Sequence, residues 1–440
     1  GSEMCIRDSI WGAGDLTFHE YPEQIGIFYG YSYAYIRNAN DIRLFASLSE
    51  RAGYTIITFN ANASTVSVKK DLEGVTYKKG QEITLLELCD IIDNIDNAFD
   101  KYFEEAKIDK PRAKRMCGYT TWYNYYTSVT EEIVERDLEA IAKLGSKIDI
   151  FQVDDGYERT VGDWLYHDEK KFPSGMKLIA DNIHKNDMLA GLWLAPFAAT
   201  PKSYIYNKHK DWFVKNKNGK IPFASHNWGG FYALDIYNKE VRQYLKEVFD
   251  TVLNVWGYDM VKLDFLYACC IIPFNGKSRG EIMCDAMDLI RELCGDKLIL
   301  GCGVPLAPAF GKVDFCRIGA DMALSWGKKP FSREDVSTKH ALLNTIFRRE
   351  LDGRAFLNDP DVFLLRDNNI KMSFEQRKLI AETASLFGNL LFVSDDVSTY
   401  NNNQKDCFIN VTTRNKADIN YVNMDLSLIH ISEPTRHSLI

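Results

Sequence analysis

The sequence predicts an α/β chain: a (β/α)8 TIM barrel preceded by a partial N-terminal β-sandwich and followed by a truncated C-terminal β segment. Three observations carry this. From Lys110 onward, short apolar runs alternate with amphipathic ones, as β-α units do. Eight such runs fall within about 290 residues, the size of a barrel with insertions. Carboxylates and tryptophans stand at the ends of these runs, where barrel enzymes keep their chemistry.

Taken in order, residues 1–9 and 426–440 are set aside first. "EMCIRDS" and "LSLIHISEPTR" resemble translations of a sequencing-library adaptor, so both ends are expected to be assembly artefacts of a gene fragment truncated on both sides. Residues 10–83 carry "GIFYGYSYAYI" and "YTIITFNANASTVSV", rich in Tyr, Ile, Thr and Phe, and read as the remnant of a β-sandwich. Thr84 and Glu87 fit a capping box, and Leu88, Ile91, Ile92, Ile95 and Phe99 recur at helical spacing. A linking helix is therefore expected over 84–109.

The barrel is expected over 110–400. Its strand candidates are "MCGYTTW", "IDIFQVDD", "LAGLWLAP", "DMVKLDF", "KLILGCG", "VDFCRIGAD", "RAFLNDPD" and "GNLLFVSDD". Helices are read from Thr130 to Gly145 and near Lys177–Lys185. A further helix has a buried stripe of Val241, Leu245, Val248, Val252 and Val255. Residues 401–425 are expected to begin a C-terminal β-domain.

Composition narrows the function. A hydrophobic content of 46% and a charged content of 26% are those of a water-soluble globular protein. A net charge of -8 with interspersed signs leaves no footprint for nucleic acid, and no apolar run reaches transmembrane length. The ten cysteines lack zinc-like spacing and favour a reducing, cytoplasmic setting. The eight histidines show no HxxxH or HExxH pattern, so no metal and no cofactor is expected.

The run ends supply Trp122, Asp154 and Asp155, Trp193, Asp264, Cys302, Asp321, and Asp359 with Asp361. Aromatic faces stack on sugar C–H surfaces, and carboxylates accept hydroxyl hydrogen bonds, so this ring reads as a carbohydrate site. Asp264 and Asp321 suit retaining glycoside hydrolysis, one attacking the anomeric carbon and the other donating a proton to the leaving oxygen. Lys262 shares a strand face with Asp264 and is expected to pair with it. Negative charge near Asp321 is expected to keep that acid protonated. The blander readings are a structural Lys262–Asp264 ion pair, a turn or cap role for Asp321, a simple turn at Asp154–Asp155, and core packing for the tryptophans and Cys302. Asp163 and Asp235 read as loop or capping residues, and Asp359 and Asp361 as a turn around Pro360 with a supporting role behind the site as the alternative.

"DIFQVDDGYERTVGDWL", "KKFPSGMK", "GLWLAPF", "NWGGFYALD", "VKLDFLYA", "LGCGVPL" and "CRIGADMALSW" occur in this order. Together they resemble the barrel of glycoside hydrolase family 36, the melibiase-type α-galactosidases. The resemblance implies a nucleophile at Asp264 and an acid/base at Asp321. It also implies that Asp154 and Asp155 bind the galactose C4 and C6 hydroxyls, that Trp193 lines the pocket, and that Lys262 and Arg317 contact ring hydroxyls. Trp122, Trp228 and Cys302 lie in matching blocks. Ala320 stands where the family usually has proline. The expected substrate is an α-galactoside oligosaccharide. Alternatives are an α-N-acetylgalactosaminidase, a raffinose-synthase-like galactosyl transferase, and a non-catalytic sugar-binding barrel. A homo-oligomer is compatible with the family, without a subunit count.

Overall fold

The computed structural model describes residues 3–5, 26–38, 41–326 and 338–413. Eight parallel strands form where the apolar runs predict them: Met116–Thr120, Ile150–Val153, Leu189–Leu194, Met260–Leu263, Leu298–Gly301, Phe315–Arg317, Leu357–Asp359 and Leu390–Val393. Buried on both faces, such strands are near-continuous hydrophobic runs, which is why the sequence shows them. A ninth two-residue strand, Val362–Phe363, pairs with the eighth, while Leu357–Asp359 pairs with the sixth. The seventh strand is thus broken at Pro360, which has no N–H to give a ladder. Asn389 N–H bonds Asn358 O at 3.0 Å across the seam, so the sheet curls into a (β/α)8 barrel.

Helices separate the strands and cover the outside. Thr130 caps Glu131–Ala142, accepting from Ile133 N–H, and Val134, Leu138 and Ile141 face inward. The helix Lys239–Asp250 buries Val241, Leu245 and Val248 as expected, but Val255 is 57% exposed. The turn Thr251–Val255 is π-helical, and its wider turn carries Val255 off the stripe.

Ahead of the barrel lie two antiparallel sheets. One orders Glu3–Cys5, Tyr33–Asn38, Asp41–Ser47 and Leu88–Asn94; the other orders Ile27–Tyr31, Thr55–Asn60 and Thr65–Lys70. Ala34, Phe45, Ile57 and Phe59 pack between them. Glu3–Cys5 falls within the first stretch set aside from the sequence; residues 426–440 lie outside the described residues.

The linking helix begins later than expected. Leu88–Asn94 is a strand paired with Asp41–Ser47, and Thr84 and Glu87 are exposed without forming a capping box. Cys89 and Ile91 turn inward while Ile92 is 69% exposed, which is the strand period of two. The helix is Ile95–Glu105, capped by Asn94 accepting from Asn97 N–H at 3.0 Å. Its Phe103 packs 5.2 Å from Phe310 of the barrel. The segment after the eighth strand also differs: Asn402–Thr413 is a helix, with Phe408 and Val411 buried. A β/α barrel needs a helix after its last strand, so the barrel runs past residue 400; residues 414–425 lie outside the described residues.

Candidate active site

The barrel collects the candidate residues at one end, because each lies at or just beyond the C-terminal end of a strand. Asp154 follows the second strand and is fully buried. Its Oδ2 accepts from Gln152 Nε2 at 2.7 Å and from Lys262 Nζ at 2.9 Å. Its Oδ1 accepts from Asp155 N–H at 2.9 Å. Lys262 therefore spans from the fourth strand, past the third, to the second, and does not bond Asp264 as its strand position led us to expect. Burial opposes its charge most strongly, but Asp154, Cys302 and Asp264 together outweigh burial and hold the ammonium well above the usual lysine range.

Asp264 is held by other groups. Its Oδ1 accepts from Phe265 N–H at 2.8 Å, and its Oδ2 from Trp193 Nε1–H at 3.2 Å. Phe265 lies in the left-handed region at φ 51°. Gly303, beyond the fifth strand at φ +54°, gives the carboxylate room: a Cβ there would lie 2.9 Å from Phe265 N and 3.2 Å from Asp264 Oδ1.

Asp155 is bound from the insertion between the third and fourth strands. That insertion forms a small antiparallel sheet of Ala198–Ala199, Phe223–Ser225 and Phe231–Ala233. Trp228, on the turn between the last two of these, donates from Nε1 to Asp155 Oδ2 at 2.8 Å. Its ring lies 5.9 Å from Trp193 and 4.7 Å from Phe265, so three aromatic rings adjoin. Trp228 has φ 55°, an uncommon conformation for so bulky a residue and one that concentrates at functional sites. Burial raises the Asp155 carboxyl, and its hydrogen-bonded neighbour Glu158 is raised well above its ordinary range by burial and by the Asp155 charge.

Arg317, at the end of the sixth strand, organises the other side. Its Nη2 donates to Asp321 Oδ1 at 3.0 Å and is ion-paired with Asp361 Oδ2 at 2.9 Å, and its Nη1 lies 4.0 Å from Cys302 Sγ. The group bonded to the half-exposed Asp321 is thus a cation, while the negative neighbour expected from the sequence is Asp361, which shares the same Arg317 nitrogen. Asp361 Oδ2 also accepts from Tyr123 OH and from Met322 N–H, the latter at 2.7 Å. Asp359 is buried in register with Arg317 and accepts from Asp361 N–H at 2.9 Å. Burial pushes its carboxyl up to about 7, against the pull of Arg317.

Of the predicted site residues, Asp154, Asp155, Trp193, Trp228, Lys262, Asp264, Cys302, Arg317 and Asp321 converge on this mouth. Trp122 opens the short helix after the first strand and packs edge-on against Tyr126 at 5.1 Å; its neighbour Tyr123 is the residue bonded into the carboxylate network. Asp163 accepts from Tyr204 N–H and Ile205 N–H at a helix start, and Asp235 from Tyr237 N–H in a turn, in keeping with their expected roles. Sequence reasoning missed Tyr123 and Glu158, and read Asp361 as a turn former with a supporting role behind the site. No local signal marks Tyr123, whereas the "NDPD" cluster did mark the segment holding Asp361.

A (β/α)8 barrel with carboxylates, two buried cations and tryptophans around its C-terminal mouth has the architecture of a glycoside-processing barrel. Residues 94–275 match the family model described as Melibiase, and the chain resembles the family 36 melibiase-type α-galactosidases, as its motifs do. It is 26% identical over 259 residues to the α-galactosidase Mel36A of Lactobacillus acidophilus, covering 57% of this chain and 34% of that protein. With an Escherichia coli α-galactosidase it shares 23% identity over 239 residues, covering 52% and 32% respectively. The chain spans about a third of the length of these curated relatives. Among solved structures it is similar to the α-galactosidase TtGalA of Thermus thermophilus, solved with p-nitrophenyl α-D-galactopyranoside. The TM-score is 0.72 and the identity 26%, over 88% of this chain and 76% of that one.

Proposed function

We propose that this chain is a retaining exo-α-galactosidase that removes terminal α-galactosyl residues from oligosaccharides. One observation carries the mechanism: Asp264 lies against Gly303, and Asp321 pairs with Arg317, whose Nη1 is 4.0 Å from the neighbouring Cys302 Sγ, so both carboxylates are tied to the same turn beyond the fifth strand. Relatives named α-galactosidases, one solved with an aryl α-galactoside, support galactose as the sugar.

In this mechanism Asp264 attacks the anomeric carbon, its oxygens aligned by Phe265 N–H and Trp193 Nε1–H. The bond from that carbon to the leaving oxygen breaks, and the departing electron pair takes the Asp321 proton. Water then attacks the glycosyl–Asp264 ester. Asp321 takes the water proton, the ester bond breaks, and galactose leaves with its configuration retained. In this reading Asp154, paired with Lys262, and Asp155, bonded by Trp228, accept sugar hydroxyls, and the Trp193 and Trp228 rings offer apolar faces.

The test is turnover of nitrophenyl α-galactoside beside the α-N-acetylgalactosaminide and the α-glucoside, with Asp264→Ala and Asp321→Ala checked for folding. Selective α-galactoside turnover that falls at least about a thousandfold in Asp264→Ala is expected. Turnover of only another glycoside would overturn the substrate. Galactose binding without turnover would favour the non-catalytic sugar-binding barrel.

A further inference from the structure

Resting on the reading of Asp321 as acid/base, we propose that Asp361, braced by Tyr123, is the positioning residue that aims Asp321 at the leaving-group oxygen. Asp321 itself is half exposed, sits on a loop beyond the sixth strand, and is bonded through its side chain to Arg317. Asp361 grips that loop at two points. Its Oδ2 accepts from Met322 N–H at 2.7 Å, fixing the backbone immediately after Asp321. The same oxygen is ion-paired with Arg317 Nη2 at 2.9 Å, and that nitrogen donates to the Asp321 side chain at 3.0 Å. One oxygen atom therefore sets both the backbone and the side-chain partner of Asp321.

Asp361 is itself over-determined. It follows Pro360, lies in the left-handed region at φ 75°, and is buried with its N–H bonded to Asp359. Tyr123 OH donates to the gripping oxygen and also accepts from Met322 N–H at 3.1 Å, closing a three-residue knot. Strained backbone persists only where its surroundings impose it, and here the strain points one carboxylate at the loop that carries the acid. A general acid works only within hydrogen-bond reach of its target, so a loop free to shift by about 1 Å would lose about a hundredfold in rate.

The experiment separates aiming from mere structural support by leaving group. A sugar leaves as a poor alkoxide that needs the proton, whereas dinitrophenolate leaves without it. kcat/KM, which reports the first bond cleavage, is measured on melibiose and on 2,4-dinitrophenyl α-galactoside for Asp361→Asn, Tyr123→Phe and Asp321→Ala. Asp361→Asn is expected to lose about 10- to 100-fold on melibiose and less than about threefold on the dinitrophenyl substrate. Equal losses on both substrates would overturn the proposal. If Asp361→Asn does not fold, Tyr123→Phe decides: a loss confined to melibiose supports it, and an even loss overturns it. A split in Asp321→Ala with none in the folded Asp361→Asn or in Tyr123→Phe sinks the positioning role alone. Absence of a split in Asp321→Ala sinks the acid/base reading and this proposal with it.

Discussion

Lys262 reaches past the third barrel strand to Asp154, 2.9 Å away, and leaves its own strand neighbour Asp264 to be held by Trp193 and a backbone amide. The pair is buried and charge-balanced, so neither member can be removed alone without leaving an uncompensated charge. Lys262→Met is expected to destabilise the fold by about 3–5 kcal/mol, read by urea denaturation. Lys262→Met combined with Asp154→Asn should recover most of that stability while activity stays lost. Full recovery of activity in the double variant would contradict the assignment of the pair to the site.

Trp228 contributes one charge-assisted hydrogen bond to Asp155, from a left-handed turn outside the barrel sheet. Trp228→Phe keeps the ring and removes the donor. A hydrogen bond to a charged group contributes about 1.5–3 kcal/mol, so kcat/KM on an α-galactoside should fall about 10- to 100-fold. Thermal stability should change less, because Trp228 is only partly buried. An unchanged kcat/KM would show that Asp155 needs no orientation from the insertion.

Asp359 gives a pH signature. Its carboxyl is pushed up to about 7 by burial, from an ordinary value near 4. Between those values the folded state holds a proton that the unfolded chain has released, so stability falls as pH rises through that window. Asp359→Asn should flatten the slope of unfolding free energy between about pH 4 and 7. Denaturant titrations at pH 5 and pH 8 test this, and an unchanged slope would exclude Asp359 as its source.

Gly280 lies in the helix Arg279–Cys294, against the strands that precede the barrel. Helix propensity alone would make Gly280→Ala stabilising by about 1 kcal/mol. A Cβ there would instead meet Glu50 O at 2.6 Å and Tyr54 N at 2.7 Å, both backbone atoms that cannot step aside. We expect a net loss of about 1–3 kcal/mol and a lower Tm. A raised Tm would mean that the β layer does not pack on this helix in solution.

The barrel strands were legible because buried parallel strands are continuous apolar runs, and the mouth residues because they end those runs. Leu88–Asn94 was misread because Leu88, Ile91 and Ile95 satisfy a helical repeat; a long-range pairing with Asp41–Ser47 decided for strand. Val255 was misplaced because a π-helical turn changes the repeat within one helix. Trp122 was chosen over Tyr123 because nothing local says which ring turns inward.

By itself the sequence determined the strands of the barrel, their order and most of the polar residues at its mouth. Those features are written in periodicities a few residues long. Only the tertiary structure decided which polar group meets which. Lys262 finds Asp154 across 108 residues, and Tyr123 finds Asp361 across 238. Such partners depend on strand order, register and the closure of the sheet at Pro360. These are properties of the whole curled ladder, so no stretch short enough to show a pattern contains them.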